Sequence, residues 1–235
     1  MRISQDLADM YDVYYSSHML VERKRQLASI DSVGHMVELM GTDFGDLVDV
    51  GAGNGAVLQQ IWERSLAKTV SALEVSSTGI EKIRARTNLP IRYLTKYDGY
   101  KMPFEDNQFD TAISVHVIEH IEHERLFLQE IGRISRRVFI EVPLEGGFRG
   151  RINRSFGHIN YYSPMTFINL IETSGLRIVD YRVTTSSLDY EIHCYGRFKG
   201  TAKNLIRRGV LGVLGKDLAP HLMNFLLSVV VEKVD

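Results

Sequence analysis

The stretch LVDVGAGNG, Leu47 to Gly55, sets three glycines within five residues directly behind an apolar run. Glycine loses more backbone entropy on folding than any other residue, so such clustering marks a tight bend or a surface that something approaches closely. Glu74 ends the next apolar run, 23 residues after Gly51, where a carboxylate can accept hydrogen bonds from both hydroxyls of a ribose. Asp98 lies in YDGYKMPFEDNQFD, Tyr97 to Asp110, so that one acid could hold a sugar while a second polar loop reads a base edge. HVIEHIEHE, His116 to Glu124, puts His116 and His120 four residues apart, on one helical face if the chain is helical from Val117 onward. Arg149, Arg151, Arg154, His158, Tyr161 and Tyr162 follow in EGGFRGRINRSFGHINYYSP. That segment offers an imidazole that titrates near neutral pH, phenols that orient a substrate, and guanidinium groups suited to a carboxylate, phosphate or phosphonate. Each feature has a plain alternative: a structural turn, a solvated loop acid or cap, a packed histidine, a solvated basic loop.

The surrounding pattern supplies elements to position these residues. DLVDV (46–50), TVSALEV (69–75), FDTAISV (109–115) and RRVFIEVP (136–143) read as buried strands. Helical spacing occupies AVLQQIWERSL (56–66), GIEKIRA (79–85) and the region 122–134. Repeated strand–helix alternation predicts an α/β sheet covered on both faces. Later, SPMTFINLIETSG (163–175) has helix start and stop signals, LRIVDYRVTT (176–185) supplies a strand, and DYEIHCYGRF (189–198) and NFLLSVVVEKV (224–234) are candidate terminal strands. Residues 199–223 then read as an inserted, partly helical segment. No internal repeat or low-complexity tract interrupts this order.

Composition narrows the class. At 235 residues and 44% hydrophobic content, one domain with appendages is expected. A formal net charge of -1 argues against a generally basic nucleic-acid binder. The single cysteine, Cys194, cannot form an intrachain disulfide. No signal-like leader or transmembrane run is evident, so a cytoplasmic protein is expected. GAGNG lacks the full G-x-G-x-x-G spacing of a dinucleotide fingerprint and the Lys-Ser/Thr ending of a P-loop. No metal is expected, because histidines and acids give many incidental spacings and the chain has no paired cysteines.

Taken in order, VDVGAGNG, ALEVS, YDGYKMPFEDNQFD and ISVHVIEHI resemble the class I S-adenosylmethionine-dependent methyltransferases from about Asp46 to Gly175, and in particular their small-molecule members. The resemblance implies a Rossmann-like fold, a predominantly parallel seven-stranded sheet with an antiparallel terminal strand and helices on both faces. It implies S-adenosylmethionine as cofactor and S-adenosylhomocysteine as product. Gly51, Ala52 and Gly53 would line the methionine and ribose side, Asp49 the methionine amino end, Glu74 the ribose, and Asp98 with Gly99 the adenine. Val75 and Met102 would touch the adenine ring, and His116 the space between cofactor and substrate. Tyr11, Tyr14 and Tyr15 fall in an N-terminal helical lid or cap (1–40), with Tyr11 reaching the cofactor and the other two the substrate. A cofactor-binding core (41–198), the inserted segment (199–223) and a terminal core strand (224–234) complete a single methyltransferase domain. Arg149, Arg151, Arg154, His158, Tyr161 and Tyr162 would face substrate, with His158 a candidate base.

The expected reaction is methyl transfer to a small molecule, with oxygen preferred and an anionic metabolite favoured. No nucleic-acid partner is favoured: the motif of exocyclic-nitrogen methylation and the Pro-Cys of cytosine-ring methylation are both absent. RFKGTAKNLIRRG, Arg197 to Gly209, leaves open an RNA or protein methyltransferase, or a seal over the pocket. A cofactor-binding regulatory protein is the remaining alternative.

Overall fold

The computed structural model describes residues 19–145 and 157–234. Tyr11, Tyr14, Tyr15, Arg149, Arg151 and Arg154 lie outside the described residues. The chain runs α1 (Met19–Met40), β1 (Asp46–Val50), α2 (Ala56–Glu63), β2 (Thr69–Glu74), α3 (Ser77–Arg84), β3 (Ile91–Lys96) and β4 (Phe109–Val115). A 3-10 turn (Ile118–His120) leads to α4 (Glu124–Ile134), β5 (Ser135–Leu144), α5 (Pro164–Glu172), β6 (Leu176–Thr184), α6 (Leu188–Tyr195), α7 (Arg197–Leu218), a second 3-10 turn (Ala219–His221) and β7 (Phe225–Lys233).

The strands form one seven-stranded sheet in the order β3-β2-β1-β4-β5-β7-β6. All pairings are parallel except those of β7, which runs antiparallel to both neighbours. The expected fold is therefore present, with the antiparallel last strand slotted between β5 and β6. Alternation along β1 explains the two layers: Val48 and Val50 join the core formed with α4 and α5, whereas Leu47 joins Met36, Leu58 and Ile61 of α1 and α2. Strand order reverses between β1 and β4, and such a reversal opens a crevice beyond the carboxyl ends of the strands. Asp49, Glu74, His116 and Glu145 all lie at that edge.

Two expectations for local structure are corrected. Residues 189–198, read as a strand, are helical: Ser187 caps α6 by accepting from the Tyr190 N–H at 3.2 Å, and Asp189 and Glu191 occupy its first turn. Acids there favour a helix over an edge strand. Helix α6 also buries Glu191 completely against Lys203 at 3.2 Å and against Arg207. Two cations of the basic segment thus neutralise an internal carboxylate, which weakens the polymer-binding reading of that segment. The second correction concerns His116 and His120. His116 has φ 56 and the 3-10 turn follows it, so no helical face is shared.

Gly79 opens α3 against the glycine loop. A Cβ there would lie 2.7 Å from the Gly53 carbonyl oxygen and 2.9 Å from Glu74 Cγ. Gly79→Ala is expected to lower stability by about 1–3 kcal/mol, because overpacking against backbone outweighs the roughly 1 kcal/mol that alanine gains in a helix. Urea denaturation is the check. A midpoint at or above that of the parent would show that helix and loop separate at no cost.

Candidate active site

The glycine loop turns at Gly51, which has φ 84, and a Cβ at this position would fall 2.5 Å from Val117 Cγ2. Only glycine fits both demands. The loop's amides are consumed internally: Gly51 and Ala52 donate to the Leu73 carbonyl at 2.8 and 3.1 Å, Gly53 to Glu74 Oε2 at 2.6 Å, and Gly55 to the Ala52 carbonyl at 2.8 Å. These four backbone N–H groups are therefore turned into the loop and not toward a ligand. Glu74 also accepts from the Val75 and Ser76 amides at 2.9 and 2.8 Å, so one carboxylate ties the loop to the β2–α3 turn.

Asp49 is 2% exposed and Glu74 3%. Burial, reinforced by the negative charge of Glu74, pushes the Asp49 carboxyl up to about 8. A crevice with occupied amides and the negative charge of Glu74 disfavours a phosphate. It fits instead a ligand bearing a positive charge and hydroxyls. S-adenosylmethionine has an ammonium, a sulfonium and a ribose diol, and no phosphate.

Asp98 Oδ1 accepts from the amides of Tyr100 and Lys101 at 3.0 and 2.8 Å, closing the loop around Gly99, which has φ 90. Burial opposes ionisation, but these N–H groups prevail and hold the Asp98 carboxyl below its ordinary value. Val75 is half-buried beside the core. Met102, expected at the adenine ring, is 1% exposed and packs within the core.

Beyond β4 and β5 lies a second cluster. His116 Nδ1 sits 3.6 Å from Glu119 Oε1 and its Nε2 3.7 Å from Glu141 Oε1. Desolvation alone would lower the His116 pKa; Glu119 outweighs it and the value is raised. His158 Nδ1 lies 2.7 Å from Glu145 Oε2. Burial again opposes the charge on His158, and the Glu145 hydrogen bond prevails to raise its basicity. The rings of His120 and His158 meet edge to face at 4.8 Å between centroids.

The tyrosines of this segment divide. Tyr161 is half-buried and its hydroxyl donates to the His158 carbonyl at 2.9 Å. Tyr162, expected to face substrate, is a correction: its ring is buried against Phe167, and its hydroxyl donates to Glu124 Oε1 at 2.5 Å and contacts the Ile118 carbonyl at 3.2 Å. Helix α5 (Pro164–Glu172), capped by Ser163, begins immediately after it, which draws the ring inward as a core contact. At the same edge, Glu145 and Arg207 line a cavity of about 100 Å³ with Pro143, Ser186 and Phe225, so α7 does reach the rim beyond β5.

Sequence reasoning passed over Glu119, Glu141 and Glu145. Glu141 is fully buried in β5 and accepts from Ser32 Oγ at 2.5 Å and Ser228 Oγ at 2.7 Å, with His35 Nδ1 at 2.6 Å. Burial would raise its pKa, but His35 more than compensates, and the carboxyl is held at about 2. A lone acid inside the apolar run VFIEVP was the available signal, since buried glutamates are almost always paired.

Comparison with known proteins agrees with the fold. A family model described as a methyltransferase domain matches residues 48–137. The strand order is that of the class I S-adenosylmethionine-dependent methyltransferase fold, and the matched stretch holds its β1 to β5 motifs. A phthiotriol/phenolphthiotriol dimycocerosates methyltransferase of Mycobacterium ulcerans (strain Agy99) is 28% identical over 100 residues, covering 43% of this chain and 36% of that protein. The chain thus matches about a third of such curated relatives. Among solved structures, a putative methyltransferase complexed with the Haloferax volcanii Trm112 activator superposes with TM-score 0.66 at 15% identity, covering 94% of this chain and 96% of that one. The [4+2]-cyclase SpnF superposes with TM-score 0.63 at 16% identity, covering 86% of this chain and 80% of that one. A cyclase on the same fold means that the fold by itself does not set the chemistry.

Proposed function

We propose that this protein transfers the methyl group of S-adenosylmethionine to a hydroxyl oxygen of a small, anionic molecule. The observation that carries the reading is the crevice at β1 and β2: loop amides turned inward and two buried acids, Asp49 and Glu74, where a cationic diol fits and a phosphate does not. In this reading Asp49 holds the amino end, Glu74 the ribose, and Asp98 with Gly99 and Val75 the adenine. Gly51, Ala52 and Gly53 pack along the ligand, His116 borders it, and Tyr11 closes over it. The cofactor supplies a methyl group on a positively charged sulfur that is a good leaving group. The chain's task is to align the acceptor with that carbon and keep water out.

At the acceptor end stand His116 and His158, with Glu145 fixing the His158 ring. An imidazole of raised basicity is suited to taking the proton of a hydroxyl. Relatives named for a triol substrate support oxygen as the acceptor. The inward pairing of Lys203 and Arg207 with Glu191 supports a small molecule over RNA.

Incubation of the purified protein with a labelled methyl donor and fractionated metabolites, with RNA and protein fractions in parallel, tests the reading. Label in a base-stable ether of a small anionic product is expected. Label confined to RNA or protein would overturn the substrate class. Saturable binding of NAD without binding of S-adenosylhomocysteine would overturn the cofactor.

A further inference from the structure

We propose that Glu119, His120 and His158 form a binding site for a divalent transition-metal cation at the acceptor end of the crevice. The sequence gives no such expectation, because the residues come from two separate segments. The turn after β4 carries Glu119 and His120, and the stretch before α5 carries His158. Backbone bonds fasten the two together: the Ile159 and Asn160 amides both donate to the Glu119 carbonyl, at 2.9 and 3.0 Å, and Asn160 Nδ2 donates to the Ile121 carbonyl at 2.6 Å. One donor atom from each of the three side chains lies within 4.8 Å of the others. A tetrahedral shell with bonds of about 2.1 Å needs donors roughly 3.4 Å apart. Side-chain rotation of about an ångström closes that difference.

Two further features point to a cation. Glu119 is 1% exposed, and neither of its carboxylate oxygens has a hydrogen-bond partner among the described residues. Burial opposes its charge, but the His116 imidazole, 3.6 Å away, is its counter-charge and keeps the Glu119 carboxyl below its ordinary value. An ionised carboxylate with both oxygens unbonded inside the fold is an acceptor that a dication can satisfy more fully than one imidazole at that distance. Both histidines also have the supporting bonds of metal ligands. Nδ1 of His120 meets the Gly157 carbonyl at 3.0 Å, and Nδ1 of His158 meets Glu145 at 2.7 Å. A carbonyl or carboxylate at Nδ1 orients each ring, as such partners do for metal-binding imidazoles.

Two imidazole nitrogens and one carboxylate suit Zn²⁺, Mn²⁺, Fe²⁺ or Co²⁺ rather than a soft thiophilic ion. Three protein donors leave positions open, as in sites that act on a substrate rather than closed structural ones. The role that follows rests on the methyltransferase reading: the open positions take an oxygen of the acceptor and lower its pKa. His158 then serves as ligand, and the proton leaves through solvent or His116.

The test uses the full chain stripped with a chelator and dialysed against Zn²⁺, Mn²⁺ or Co²⁺, with bound metal counted and the visible Co²⁺ spectrum recorded. One equivalent per chain is expected, with the Co²⁺ bands of a nitrogen–oxygen site. Glu119→Gln and His158→Gln should abolish stoichiometric binding. Glu145→Gln, which touches no metal, should weaken it about 10- to 100-fold. Thermal melts of every variant guard against misfolding, and Glu145→Gln, at the periphery, keeps the test sharp if the other two unfold. Absence of stoichiometric binding of all three ions, or parental affinity in folded Glu119→Gln and His158→Gln, would overturn the site. S-adenosylhomocysteine titrated into the same samples separates the two readings: metal bound without this ligand sinks the methyltransferase assignment and leaves the site standing.

Discussion

Glu74→Gln is expected to weaken S-adenosylhomocysteine binding at least a hundredfold. Glu74 receives three backbone N–H bonds, from Gly53, Val75 and Ser76, and in the proposed complex it would also receive the ribose hydroxyls. A hydrogen bond to a charged acceptor contributes about 1.5–3 kcal/mol, and about 1.4 kcal/mol is a factor of ten. Two weakened ribose bonds therefore amount to roughly two orders of magnitude. Glutamine keeps the shape but sets an amide donor against the Gly53 amide or against those of Val75 and Ser76, so the loop shifts as well. Isothermal titration reads the affinity, and a urea curve reads the fold. A folded variant that binds within threefold of the parent would remove Glu74 from the ribose site and leave it only as a clamp on the glycine loop.

The features that repeat in sequence proved legible. Continuous apolar runs marked β1, β2, β4 and β5, because strands covered on both faces have no polar side to interrupt the pattern. The glycine loop was legible as a bend for a steric reason that the structure makes plain at Gly51 and Val117. What escaped were features set by tertiary partners. DYEIHCYGRF has strand-like composition, and its helix is decided by the Ser187 cap and by Lys203 and Arg207 reaching Glu191 from α7. His116 adopts φ 56, a conformation uncommon for any residue but glycine, so the spacing of the two histidines could not reveal it. Its amide is fixed by the Glu141 carbonyl at 2.9 Å on the neighbouring strand. Glu119 and His158 are far apart in sequence, and only the bonds from Ile159 and Asn160 bring them together.

Asp49→Asn should move stability and affinity in opposite directions. In the unfolded chain Asp49 titrates near the ordinary carboxyl value of 3.8, and in the fold it is pushed up to about 8. A group whose pKa is raised by folding contributes stability that is fully present below the unfolded value and is lost as pH rises through the folded one. Between those limits the ligand-free fold loses up to about 1.4 kcal/mol per pH unit from this group. Asparagine carries no charge to desolvate, so the variant should gain on the parent by about 2–4 kcal/mol between pH 5 and pH 8. Its buried amide lacks an assured partner, and this offsets part of the gain at every pH equally. Cofactor binding runs the other way. A cationic ligand is held by the ionised carboxylate, so the parent must release a proton on binding below pH 8, and its affinity should climb toward tenfold per unit from pH 6 to pH 7.5. In Asp49→Asn that slope disappears and the affinity is lower throughout. Thermal melts without ligand at pH 5 and 8, and titrations with S-adenosylhomocysteine across the same range, give both quantities from one pair of proteins. Equal pH slopes for the two would show that Asp49 does not meet the ammonium. A stability difference that fails to widen with pH would show that Asp49 ionises in the fold as readily as in the unfolded chain.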